Sequence, residues 1–131
     1  MTYRLELYRC NTCGNLVEVL LEGNGELVCC GVPMQPLIPQ WKEAEGVEKH
    51  VPVISKNECG NTVIRVGSIP HPMDDEHYIM FIQAVSNDKS RIWTDFLKPG
   101  DIPKMSLSSD VNDLFAREYC NIHGLWEGFN D

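Results

Sequence analysis

Tyr78-Ile79-Met80-Phe81-Ile82-Gln83-Ala84-Val85 is the most strongly β-forming run in the chain, and Asn87-Asp88 follows it as a turn. Working outward, Arg91-Ile92-Trp93-Thr94-Asp95-Phe96-Leu97 alternates and stops at Lys98-Pro99-Gly100-Asp101. Upstream, Thr62-Val63-Ile64-Arg65-Val66 alternates after a turn spanning Asn57 to Asn61, and Val51 to Ile54 is a short strand. Lys104 to Ser108, Phe115 to Tyr119 and Leu125 to Phe129 extend the series, while Val111 to Ala116 is also compatible with one helical turn. Short strands separated by turn residues predict an all-β sandwich over residues 47–131.

Residues 1–37 read as a separate, smaller β-structure around a knuckle. Cys10-Asn11-Thr12-Cys13-Gly14-Asn15 is a turn, Leu16 to Leu21 a strand, Gly23-Asn24-Gly25 a hairpin signal, and Leu27-Val28 a strand entering Cys29-Cys30-Gly31. A segment this short cannot bury enough apolar surface to fold alone, so it needs a metal, disulfides or a partner chain. Residues 38–46, with Pro39 and a cluster of charges, read as a connector.

Composition narrows the function. The chain has 131 residues, 43% of them hydrophobic and 23% charged, which is globular and allows one ordinary domain or two small ones. A formal net charge of -8 repels phosphate backbones, so nucleic acid is not an expected partner. No run approaches the ~20 apolar residues a bilayer crossing needs, and Met1-Thr2-Tyr3-Arg4-Leu5-Glu6 opens no secretion segment. No membrane association and a cytoplasmic location are therefore expected.

Six cysteines without an export signal point to metal before disulfides. Cys10-x-x-Cys13 and the adjacent pair Cys29-Cys30 offer four thiolates, a soft set suited to zinc or iron. Two disulfides are the alternative. Consecutive side chains tend to diverge, so binding both Cys29 and Cys30 is expected to distort the tetrahedron.

All four histidines, His50, His71, His77 and His123, lie in the second segment, each predicted at a strand edge or turn, and Cys120 stands three positions before His123. Imidazole suits iron, copper, nickel or zinc, and one thiolate softens the site. Structural zinc sites usually stop at four ligands, so five favour iron with an open sixth position. Such a centre is cationic and attracts a small anion, and a thiolate opposite the open position pushes electron density toward the metal.

Taken together, Cys10-x-x-Cys13, Cys29-Cys30, Glu48-Lys49-His50-Val51-Pro52, His71-Pro72-Met73, Glu76-His77-Tyr78 and Cys120-Asn121-Ile122-His123-Gly124 make the chain resemble the desulfoferrodoxins, two-domain superoxide reductases, over nearly its whole length. The first part is similar to desulforedoxin and the second to neelaredoxin, and Phe96-Leu97-Lys98-Pro99-Gly100 also fits. The resemblance implies two irons per chain, one on Cys10, Cys13, Cys29 and Cys30, the other on His50, His71, His77, His123 and Cys120. It implies an immunoglobulin-like second domain, a homodimer, one-electron reduction of superoxide to hydrogen peroxide, and a rubredoxin-like electron donor. It also implies that Lys49 steers superoxide and handles protons, and that Glu48 can occupy the sixth position of the oxidised iron. The bland readings are a solvated surface lysine and an ordinary loop carboxylate. Cys59 has no ligand role in the pattern. The competing reading of the whole is a metal-stabilised electron-transfer protein without superoxide reductase activity.

Overall fold

Short antiparallel strands joined by tight turns build the chain into two compact units, Met1–Ile38 and Pro39–Asp131. The computed structural model describes residues 1–41 and 47–130, and of residues 47 and 48 the backbone alone. Of the expected connector, residues 39–41 fall in the second unit and residues 42–46 lie outside the described residues.

In the first unit β1 (Leu7–Arg9) lies between β2 (Leu16–Glu18) and β5 (Gln35–Pro36), while β3 (Val28–Cys29) and β4 (Val32–Pro33) form their own hairpin. The strand expected over Leu16 to Leu21 leaves the ladder after Glu18, although Val19 still exchanges backbone hydrogen bonds with Leu5 and Glu6. The core is small: Tyr8, Cys10, Val19 and Met34, with Leu27 and Cys29 packed against it. One of its members is a cysteine of the knuckle, so the hydrophobic core and the sulfur group are one structure.

The second unit opens with a four-residue helix, α1 (Val47–His50), where the sequence suggests only a turn. Seven strands follow. β6 (Pro52–Lys56), β7 (Thr62–Val66) and β10 (Lys104–Ser106) form a sheet in the order β10-β7-β6. β8 (Ile79–Ser86), β9 (Ile92–Phe96), β11 (Leu114–Cys120) and β12 (Gly124–Phe129) form a sheet in the order β12-β11-β8-β9. Three strands against four is the layout of an immunoglobulin-type sandwich. Ile64, Val66, Ile79, Ile82, Ala84, Met105, Leu114, Ala116 and Cys120 lie together in the core. The suggested helical turn at Val111 to Ala116 gives way to β11, because Leu114, Ala116 and Cys120 face that core at the two-residue period of a strand.

Antiparallel pairing brings three separate segments to one end of the sandwich. The α1–β6 entry, the β7–β8 crossover and the β11–β12 hairpin all lie there, and these carry the histidines and Cys120. The β11–β8 register slips at this end: Tyr119 stands opposite Phe81, but Cys120 opposite Ile79, so Met80 is an extra residue. A bulge of this kind re-aims the side chains beside it. Among the described residues no helix is long and apolar enough to cross a membrane.

Gly128 on β12 lies against Pro52, and a Cβ there would run into the Pro52 carbonyl oxygen. The contact is backbone to backbone and cannot be relieved by a rotamer change. Gly128→Ala is therefore expected to destabilise the sandwich by about 1–3 kcal/mol, the usual cost of overpacking. Calorimetry should show a lower midpoint, and an unchanged midpoint would contradict this contact.

Candidate metal centres

The two groups predicted from the sequence are both gathered in space. Cys10, Cys13, Cys29 and Cys30 form one, and His50, His71, His77, Cys120 and His123 the other; within each group the potential ligand atoms all lie within 4.8 Å of one another. Cys59 joins neither: it is exposed in the turn after β6, its N–H donating to Asn57 Oδ1.

In the first group the sulfurs of Cys13 and Cys29 are 3.6 Å apart, and those of Cys29 and Cys30 4.0 Å. A metal–sulfur bond of about 2.3 Å implies tetrahedral edges of about 3.8 Å, so these spacings fit a four-thiolate site. The adjacent pair achieves this because Cys30 adopts a left-handed backbone, φ 55°, followed by Gly31 at 76°. That unusual conformation turns the Cys30 sulfur back toward Cys29, and so removes the divergence expected of neighbours at an ordinary cost of about 1–2 kcal/mol. Backbone hydrogen bonding from Cys13, against the opposing effect of burial, draws the Cys10 thiol down to about 6. The neighbouring Cys13 and Cys10 sulfurs push Cys30 up to about 12. The first thiolate forms readily and the last is resisted, as for negative charges crowded without a cation between them.

In the second group Nε2 of His50 is 2.9 Å from Nε2 of His71 and 3.1 Å from Nδ1 of His123. His123 Nδ1 lies 3.8 Å from the Cys120 sulfur. His77 Nε2 is buried with no hydrogen-bond partner. Lone pairs facing one another across such gaps, with one buried nitrogen orphaned, fit a shared cation; five donors exceed a closed tetrahedron. His71 is fixed for this by its other nitrogen, Nδ1, which donates to the Pro72 carbonyl at 2.6 Å and leaves Nε2 as the lone-pair atom. Cys120 is wholly buried and His50 nearly so, whereas His123 is exposed, so the group has one buried and one solvent-facing side.

Charge follows the same logic. Burial holds the His71 imidazole down to about 4, reinforced by the neighbouring histidines and opposed by the Pro72 carbonyl. Burial also lowers His77, with His123 adding, Asp74 opposing, and the Lys49 charge adding further. Lys49 itself is exposed, and its charge adds to the lowering of His77. The Glu48 side chain lies outside the described residues. Burial pushes the Cys120 thiol up, against backbone N–H groups of His123 and Ile122, and Glu118 adds to the rise. A thiolate at Cys120 therefore calls for a neighbouring cation.

Several supporting residues were not picked out as such from the sequence. Asn121 ties two ligand-bearing loops together: its Oδ1 accepts from Tyr78 N–H at 3.0 Å and its Nδ2 donates to the Glu76 carbonyl at 2.9 Å, straddling His77. Trp126 stacks on His50 with ring centroids 4.7 Å apart. Glu118 is fully buried beneath Cys120 with neither oxygen hydrogen-bonded, and burial raises it well above the carboxylate range. Gly67, at φ +79°, passes so close to α1 that a Cβ would lie 2.6 Å from the Lys49 carbonyl oxygen. Only Asn121 carried a sequence signal, its place inside Cys120-Asn121-Ile122-His123; the others are set by contacts remote in sequence.

Fold and donor sets together define a two-unit protein with a four-thiolate centre and a four-imidazole, one-thiolate centre. The family model for desulfoferrodoxin matches residues 42–129, and that for the desulfoferrodoxin N-terminal domain matches residues 2–37. A desulfoferrodoxin of Syntrophotalea carbinolica is 47% identical over 126 residues, 96% of this chain and 97% of that protein. A superoxide reductase of Pyrococcus horikoshii is 36% identical over 96 residues, 61% of this chain and 84% of that protein. The crystal structure of the superoxide reductase from Treponema pallidum superposes with a TM-score of 0.72 at 24% identity, covering 98% of this chain and 99% of that one, which shows the shared fold. The chain belongs to the desulfoferrodoxin family.

Gly67→Ala must displace the Lys49–His50 backbone, because a left-handed alanine is strained and its Cβ meets main-chain atoms. Metal affinity at the second centre is expected to fall by about tenfold or more, the scale seen when a ligand's support is lost. Chelator competition should show this with the four-cysteine centre unchanged; equal loss from both centres would contradict it.

Proposed function

We propose that the second unit is a superoxide reductase centre: His50, His71, His77, His123 and Cys120 hold an iron, and superoxide is reduced there to hydrogen peroxide by one electron and two protons. The observation that carries this reading is the asymmetry of the donor set, with the thiol buried and the His123 side open to solvent. A pure electron carrier is served by a closed, shielded centre, so an exposed side favours a site that meets a substrate. The family's superoxide reductase relatives support the same reading.

Bound ferrous iron supplies the electron and a position for a small anion. The chain's residues do the rest. Burial favours the uncharged form of His71 and His77, which leaves lone pairs to be offered to a metal. Cys120, approached by the His123 N–H at 3.4 Å, is oriented by the hairpin turn itself. Lys49 sets a positive charge at the rim, which matters because the chain as a whole is at -8 and repels an anion at long range. Lys49 is also the candidate for handling the protons that peroxide formation needs. Glu48, next to Lys49 on α1, supplies a carboxylate that shields the oxidised resting centre.

Cys10, Cys13, Cys29 and Cys30 hold the other iron, in the first unit, which staples a unit whose hydrophobic core is too small to stand alone. The electron comes from outside, from a small rubredoxin-like donor. The protein works as a homodimer. Support for dimerisation comes from the two edge strands of the four-stranded sheet, β9 and β12, which end in Phe96 and Phe129. Phe96 is 82% exposed and Phe129 55%, an aromatic surface suited to a second copy.

The deciding experiment is a superoxide pulse on the reduced protein with iron oxidation, peroxide and oxygen followed together. One peroxide per electron and no catalytic oxygen release are expected; an inert ferrous centre would leave the electron-transfer reading. Lys49→Ala should slow the second-order step by about tenfold and flatten its salt dependence. Phe96→Glu should shift sedimentation from dimer to monomer, and a monomeric unsubstituted chain would refute the dimer.

A further inference from the structure

We propose that Gln40 is a positioning residue for the His123 imidazole, acting through the His123 carbonyl; this rests on the reading of His123 as a ligand. Gln40 enters the second unit as a single bridge running parallel to β12 at Trp126. Its N–H donates to the Leu125 carbonyl at 3.0 Å, and its carbonyl accepts from the Glu127 N–H at 2.8 Å. The side chain then reaches back along β12, where Nε2 donates to the His123 carbonyl at 2.7 Å. The indole N–H of Trp126 donates to the same oxygen at 3.2 Å. Two donors occupy both lone pairs of one carbonyl and hold that peptide in a single orientation.

His123 has particular need of such a clamp. It is the exposed member of its group, so packing does not hold it. It faces the other donors through Nδ1, the ring nitrogen nearer the backbone, whereas His50 and His71 face inward through Nε2. Nδ1 sits closer to the main chain than Nε2, so a displacement of the His123 backbone reaches the donor atom over a short lever. Gly124 sits at φ +85° and gives that peptide little resistance of its own. The Gln40 amide fills the space a Cβ at Gly124 would approach, at 3.5 Å. Gln40 lies 83 residues from His123 and outside every cysteine or histidine motif.

Gln40→Met isolates the effect, because both backbone hydrogen bonds of residue 40 survive and only the side-chain donor is lost. In the iron-loaded full chain, release of iron from the second centre to a chelator should quicken by about tenfold, with the ferric absorption band shifted and release from the four-cysteine centre unchanged. In the same chain, amide exchange across residues 120–126, followed by mass spectrometry, should also quicken. Faster exchange with no iron ever bound at the second centre would sink the iron reading and keep the clamp. Unchanged exchange and release, or equal acceleration at both centres, would overturn the clamp.

Discussion

Lone pairs that face one another across about a hydrogen-bond length, without protons to share, are the constraint on which this molecule turns. Four sulfurs in one unit and four imidazoles with a sulfur in the other are each drawn within 4.8 Å. Water cannot relieve the buried His77 nitrogen, and the crowded thiols resist losing their last proton. A cation at each point turns repulsion into the strongest interaction in its unit, and in the smaller unit it stands in for much of a core.

The fold meets this constraint by assembling rigid pieces at one end of a sandwich. The hydrophobic core positions β8, β11 and β12, and their ends then carry the ligand loops. A register slip opposite Cys120, a glycine against the Lys49 carbonyl and an asparagine bridging the loops on either side of His77 trim the final placement. These devices are inexpensive individually. They work because each acts on backbone already held by β-pairing.

Electrostatics assign the two sides different tasks. The buried side keeps Cys120 from water and holds Glu118, raised by burial, two residues before it on the same strand. The exposed side presents His123 to solvent, in a protein whose overall charge repels anions at long range.

The amino-acid sequence alone determined the chemistry: ligand types and spacing are local facts, and alternating apolar residues such as Thr62 to Val66 announce strands whatever surrounds them. It also announced both donor groups, because Cys10-x-x-Cys13 and Cys120-x-x-His123 place ligands within one turn. Tertiary structure alone decided how those groups close. The left-handed Cys30 and the short α1 helix before β6 each follow from contacts that local propensity does not encode, and the core chose the strand over the helical turn where the residues before and within β11 allowed either. The roles of Gln40, Trp126, Glu118 and Gly67 were equally hidden, since a glutamine or glycine acquires such a role only from what lies against it. Bond chemistry belongs to residue type and can be read along a line; distance and burial belong to chain segments that meet only after folding.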